Sequence, residues 1–202
     1  MPGPDLLYRV TFTAVIACWF AFLAAFLLMR LANPRPAEAS EKKRDNRARI
    51  GILVEALAYA AVWSFRRHDQ PLLFPGGGTA LAVLLSVLAI ILALLSLWMV
   101  VTALRTLGKQ WAVAARVLEG HELITSGPYR LVRNPLYAGM FGMLIATGIA
   151  ASHWWALGFA MLLFWYGTDI RIKAEERLLR ETFGEKFDQY SKDVPPLIPG
   201  FR

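Results

Sequence analysis

Within the 17 residues from His121 to Tyr137 the chain gathers His121, Tyr129, Arg130, Arg133, Asn134 and Tyr137, and after an apolar hairpin it reaches Arg171 and the pair Glu175-Glu176. Imidazole, phenol, guanidinium, amide and carboxylate groups hold charged organic molecules, orient anionic head groups or move protons. Gly127-Pro128 and Asn134-Pro135 fix turns within the segment. Both of its flanks are hydrophobic enough to cross a bilayer. Charge-binding groups therefore sit where a lipid-soluble molecule arrives, which suits an enzyme working at a membrane surface.

The elements that must position these groups are apolar helices. A length of 202 residues fits one domain. The 56% hydrophobic content and the positive mean hydropathy of +0.43 exceed what a soluble domain usually carries. Residues 10–29 hold no ionisable side chain except Cys18, and residues 79–104 hold no charge. The longer run reaches about 39 Å as a helix, and about 20 apolar residues suffice to span hydrocarbon. Residues 50–65, which include Glu55, form a weaker span, and residues 136–152 and 154–168 read as a tight hairpin of two more. The expected fold is an all-α, polytopic integral membrane protein of about five transmembrane helices. Residues 1–104 would supply three of them. Residues 105–202 would form a catalytic region with the helical hairpin, a cytoplasmic cofactor-binding part and an amphipathic tail.

Charge tests that topology. All 22 Lys and Arg residues lie outside the apolar cores: seven in residues 30–49, five in 105–135 and seven in 171–202, against Arg9, Arg66 and Arg67 alone on the other side. Basic loops stay cytoplasmic, so the N-terminus is expected outside and the C-terminus inside, as an odd number of spans requires. The expected location is an integral membrane, the inner membrane of a bacterium.

The net charge of +7 is mostly this cytoplasmic excess, which also favours anionic membrane lipids. No basic face on a soluble fold points to nucleic acid. A lone Cys18 excludes a disulfide framework and a metal cluster. The first apolar run has no basic region before it and no evident small-residue cleavage site, so it reads as a retained helix.

Residues 33–49, with Pro34 and Pro36, read as a surface helix or a flexible cytoplasmic loop. Residues 70–78 read as an outer turn, and their triple glycine lacks the context of a phosphate loop. Trp154 and Trp155 are the interfacial anchors of the hairpin, which leaves His153 no catalytic role. Leu178, Leu179, Phe183, Phe187 and Tyr190 recur at helical spacing among charged residues. They describe an amphipathic helix broken near Gly184, lying on the membrane or capping the domain.

Taken singly, the polar residues have ordinary explanations. Arg171 and Glu175 share a helix face and make an interfacial salt bridge. Arg130 and Arg133 contact lipid head groups, and His121 is a loop residue or a helix cap. Their order carries more than any one of them.

That order, His121-x-Leu123-Ile124, Thr125-Ser126-Gly127-Pro128-Tyr129, Arg133-Asn134-Pro135-Leu136-Tyr137 and Gly139, resembles the isoprenylcysteine carboxyl methyltransferase family. It also resembles the wider membrane methyltransferase group that includes phospholipid N-methyltransferases. The likeness continues through Glu175-Glu176-x-x-Leu179, Phe183-Gly184, Val194-Pro195 and Ile198-Pro199, and Leu107 to Trp111 looks like the entry to that family's catalytic half. The first hundred residues match only as generic membrane helices.

The resemblance implies S-adenosyl-L-methionine as cofactor, held by His121, Glu122, Leu123 and Ile124, by Tyr129, Asn134, Pro135, Leu136 and Tyr137, and by Glu175. Arg171 would face the methyl acceptor. Where the family usually has His in the loop, this chain has Asn134, which hydrogen-bonds without titrating near neutrality. These residue types suit the cofactor: a carboxylate for its ammonium or ribose, and a tyrosine face for adenine or sulfonium. The acceptor is expected to be a lipophilic small molecule or lipid entering from the bilayer. Carboxylate, amine and thiol head groups all remain open. Arg171 tilts the reading toward carboxylate, which a guanidinium binds bidentately and which needs no general base. The alternatives are a membrane reductase using a nicotinamide cofactor and a non-enzymatic membrane scaffold. A scaffold or carrier predicts a path of intramembrane polar residues, and Glu55 is nearly the only ionisable one deep in a span. Nothing in the residues sets an oligomeric state.

Overall fold

The computed structural model describes residues 4–33, 41–44, 47–67, 78–110, 116–118 and 122–200. Six α-helices make up most of them: α1 Pro4–Ala32, α2 Arg47–Ser64, α3 Thr79–Leu107, α4 Pro135–Ala151, α5 Trp154–Phe183 and α6 Glu185–Asp193. Two short strands, β1 Glu41–Arg44 and β2 Arg116–Leu118, pair antiparallel with Arg44 opposite Arg116. The all-α expectation therefore holds except for this ribbon. For residues 41–44, read from sequence as part of a helix or loop, pairing with a distant segment supplies backbone partners that a local reading cannot foresee.

Two helices, α1 over Leu6–Ala32 and α3, are long and apolar enough to cross a membrane. Only 17% and 22% of their most apolar windows are buried, whereas the core helix of a soluble protein would be mostly buried. Their exposed side chains include Phe20, Leu28, Leu31, Leu84, Leu95 and Trp98, a surface that water would penalise and lipid accepts. The 17-residue α4 is apolar but shorter, and it forms the centre of the bundle with most of its residues buried.

α3 packs along α4 and α2 along α5. Val15, Cys18 and Phe22 of α1 meet Val100 and Leu104 of α3 and Met143 and Ala146 of α4. A second cluster joins Ala58 and Val62 of α2 to Leu144 of α4 and to Ala160 and Phe164 of α5. Small residues permit the close approach. A carbon added at Gly51 would meet the Gly167 carbonyl at 2.5 Å, and one at Gly167 would meet the Gly51 carbonyl at 2.8 Å. Between apolar helices in lipid such contacts, rather than a hydrophobic driving force, decide the packing.

α5 runs unbroken for 30 residues from the Trp154-Trp155 end into the charged region. It stops at Gly184, whose φ of 53° is a conformation glycine adopts without steric cost. The expected break is there, and α6 folds back from it.

Candidate functional site

The polar loop is short of regular structure but well tethered. Gly127–Arg130 forms a 3-10 turn opened by Pro128. Gly127, at φ 60°, lies so close to Thr106 that an added carbon would meet its hydroxyl at 2.8 Å. Tyr129 is buried, and its carbonyl accepts a hydrogen bond from the Tyr190 hydroxyl of α6 at 2.7 Å. Pro135 opens α4, where its missing N–H costs nothing and its fixed φ suits a first helical turn.

Arg133 and Asn134 bind the C-terminal tail. The Arg133 backbone N–H donates to the Pro195 carbonyl at 2.9 Å, and the Asn134 N–H donates to Pro196 at 3.1 Å. The Asn134 side-chain nitrogen also donates to Pro196, at 3.0 Å. The Arg133 guanidinium donates to the carbonyls of Ser191, at 2.8 Å, and of Val194, and pairs with Glu176 at 2.8 Å. One arginine thus joins the loop, α5 and the tail.

Deeper in, five side chains form a chain of contacts. Thr168 donates to one oxygen of Glu55 at 2.9 Å, and Arg171 binds the other at 2.6 Å. The Arg171 guanidinium carbon lies 4.5 Å from the centre of the Tyr137 ring, and the Tyr137 hydroxyl donates to Glu175. Enclosure pushes the Glu175 carboxyl above its ordinary value, against the opposing pull of Arg171 and the Tyr137 hydrogen bond. Burial likewise raises the Tyr129 hydroxyl, with the Glu175 and Tyr190 charges acting in the same direction, so Tyr129 stays neutral and offers an uncharged face.

Glu55, Tyr129, Tyr137, Arg171 and Glu175 line one cavity of about 890 Å³, toward the upper end of the roughly 300–1,000 Å³ usual for a ligand pocket. Glu122, Leu123, Ile124, Tyr129, Asn134, Pro135, Leu136, Tyr137, Arg171 and Glu175, singled out from sequence, all lie on its wall. His121 lies outside the described residues. Arg130 is exposed and is not among the residues of the wall. The cavity also takes in residues that sequence reasoning assigned no place in a site. Trp19, Phe22 and Phe26 of α1 and Tyr59 and Trp63 of α2 make an aromatic chamber, and Ile52 and Glu55 of α2 lie on the same wall. Tyr59 is pinned to the Met140 carbonyl of α4 at 2.8 Å, and the Trp19 indole to Thr147 at 2.9 Å. Phe187 and Tyr190 close the polar end. For Glu55 there was a signal, a carboxylate inside an apolar span. For the aromatic residues there was none, because an aromatic stripe on a membrane helix usually faces lipid or core.

The phospholipid methyltransferase profile matches residues 84–186, just over half of the chain, and the protein belongs to that family. The expected kinship with isoprenylcysteine methyltransferases is met as well. The chain is 36% identical over 90 residues to a protein-S-isoprenylcysteine O-methyltransferase of Schizosaccharomyces pombe, covering 43% of this chain and 38% of the relative. It is 30% identical over 101 residues to protein-S-isoprenylcysteine O-methyltransferase B of Arabidopsis thaliana, covering 48% and 51%. A bacterial cobalt-zinc-cadmium resistance protein, CzcN of Cupriavidus metallidurans, is 36% identical over 112 residues, covering 52% and 49%. The chain spans about half the length of these relatives or less. The matched family segment contains Tyr129, Tyr137, Arg171 and Glu175; α1 and α2, with Glu55, lie outside it.

Proposed function

We propose that the protein is an S-adenosyl-L-methionine-dependent methyltransferase of the membrane, acting on a lipophilic acceptor that reaches the cavity from the bilayer. The observation that carries this reading is the continuity of the cavity. Its polar end is built by the loop, Tyr137 and Glu175, and its other end is an aromatic chamber between α1, α2 and α4.

The residues fit the cofactor's chemistry. Glu175 offers a partly enclosed carboxylate to the ammonium or the ribose hydroxyls. Neutral Tyr129 and the Tyr137 ring offer π faces to adenine or sulfonium. Leu123, Ile124, Pro135 and Leu136 supply an apolar wall. Bound there, S-adenosylmethionine would present an electrophilic methyl, which an acceptor lone pair takes up as the carbon–sulfur bond breaks and its electrons stay on sulfur. The chain's part is to align the two partners and to exclude water, and alignment alone is worth several kcal/mol, up to about 10, in such displacements. Trp19, Phe22, Tyr59 and Trp63 hold the acceptor's apolar body. In the membrane we place five spans, with the polar end of the cavity cytoplasmic, on the distribution of Lys and Arg.

Calorimetric titration of detergent-purified protein tests the reading. Saturable binding of S-adenosylmethionine, weakened at least about tenfold by Glu175→Ala, is expected, since a charge-assisted hydrogen bond is worth roughly 1.5–3 kcal/mol. Failure of the folded protein to bind it, with binding of a nicotinamide dinucleotide instead, would move the assignment to the reductases.

A further inference from the structure

Glu55 is a buried carboxylate with no role in the function just proposed. It is 3% exposed, midway along α2, and lies outside the segment that carries the family match. It is nonetheless on the cavity wall. Its two oxygens are bound separately, one by the Thr168 hydroxyl at 2.9 Å and the other by Arg171 at 2.6 Å. Helix spacing makes this reach possible. Gly51 and Glu55 are four residues apart on α2, and Gly167 and Arg171 are four apart on α5, so each pair lies on one helix face. The two glycines touch, backbone to backbone, and a carbon added at Gly51 would strike the Arg171 side chain.

The charge balance around Arg171 follows from this contact. Its guanidinium is matched by Glu55 at 2.6 Å, while Glu175, bound by the Tyr137 hydroxyl, is the group assigned to the cofactor. Arg133 of the loop is matched by Glu176 of α5 at 2.8 Å. Arg30 and Glu122 also line the cavity but are exposed, where water and salt screen them. Among the described residues the enclosed end therefore holds no unmatched positive charge for an anion once Glu175 serves the cofactor, in a medium where charges act strongly. Such an end opposes an anionic head group more than a neutral or cationic one. The sequence-based tilt toward a carboxylate acceptor took Arg171 without this partner.

We propose that Glu55 is a specificity-determining residue: by engaging Arg171 from α2 it sets the acceptor end of the cavity against anionic head groups, so that the lipophilic acceptor is an amine or a thiol. This rests on the methyltransferase reading for what happens next, but the recognition itself is a matter of binding.

Three probes with one chain length, dodecanoate, dodecylamine and dodecanethiol, isolate the head group. Their affinities are measured by calorimetry for wild type, Glu55→Gln and Glu55→Asp, each with and without saturating S-adenosylhomocysteine. Partition of each probe into protein-free detergent is measured and subtracted, and it cancels when variants are compared. Glutamine keeps the shape, its one amide oxygen accepting from Arg171 and its NH2 donating to the Thr168 hydroxyl, while aspartate keeps the charge. Wild type is expected to bind the amine and the thiol more tightly than the carboxylate. Glu55→Gln should raise dodecanoate affinity relative to dodecylamine by about tenfold or more, and Glu55→Asp should stay near wild type. A merely structural Glu55 would weaken all three probes together and leave their ratios unchanged, which overturns the proposal. A wild-type preference for dodecanoate overturns it too. Absence of S-adenosylhomocysteine binding counts against the methyltransferase reading alone, because the probe ratios in its absence still decide the role of Glu55.

Discussion

Glu175 is the residue whose ionisation the proposed chemistry depends on most directly. Enclosure holds its carboxyl pKa above the ordinary value, so the protonated form persists to higher pH than in a solvent-exposed glutamate. A cationic ligand favours the ionised form. Affinity for S-adenosylmethionine should therefore be full at neutral and higher pH, and should fall as pH drops through the raised pKa. Binding in that window should release a proton. Titrations in buffers of different ionisation enthalpy would detect the release, and Glu175→Gln should abolish it while weakening binding at neutral pH. Tyr137→Phe removes the hydroxyl that donates to Glu175 but keeps the ring beside Arg171. It should lower cofactor affinity by about three- to tenfold, near the net value of one ordinary hydrogen bond, about 0.5–1.5 kcal/mol, with little loss of thermal stability.

At the level of elements, two junctions hold the site together. The first is the contact of α2 with α5 at Gly51 and Gly167. An alanine at Gly51 would collide with backbone as well as with Arg171, neither of which can swing aside. Gly51→Ala should separate the helices and cost about 1–3 kcal/mol, as overpacking commonly does. It should also lower turnover beyond what the stability loss explains, since Glu55 then fails to reach Arg171. The second junction is Arg133, which ties the loop to α5 and to the carbonyls that end α6. Arg133→Met should lower stability by about 2–3 kcal/mol, because three partly buried charge-assisted bonds are lost and Glu176 is stranded. Thermal unfolding in detergent measures both effects. Neither junction was legible in sequence. A glycine in an apolar helix has many explanations, and Arg133 suits a lipid-facing loop equally well until Glu176 is seen beside it.

For the whole molecule, the arrangement that matters is a site completed by two halves of the chain. The loop and α5 bring most of the charged and polar groups, and α1 and α2 bring the aromatic chamber together with Glu55. The membrane orientation proposed from the basic loops has a direct check in a Cys18→Ser background. A cysteine placed at His153 should react with an impermeant maleimide added outside intact cells. One placed at Lys186 should react only after the membrane is opened. The reverse pattern would invert the topology and put the polar end of the cavity outside.

The sequence by itself determined the apolar helices, the break at Gly184 and the group of loop and α5 residues that meet in the cavity. These depend on local composition, on turn chemistry and on motifs held close along the chain. It also carried the family. Tertiary structure alone decided what those residues meet. The pairing of β1 with β2, the approach of Gly51 to Gly167, and the engagement of Arg171 by Glu55 join positions far apart in the chain. No periodicity records such contacts, because each depends on how two helices or strands happen to pack. A guanidinium read alone invites an anion; here a carboxylate from another helix already matches its charge.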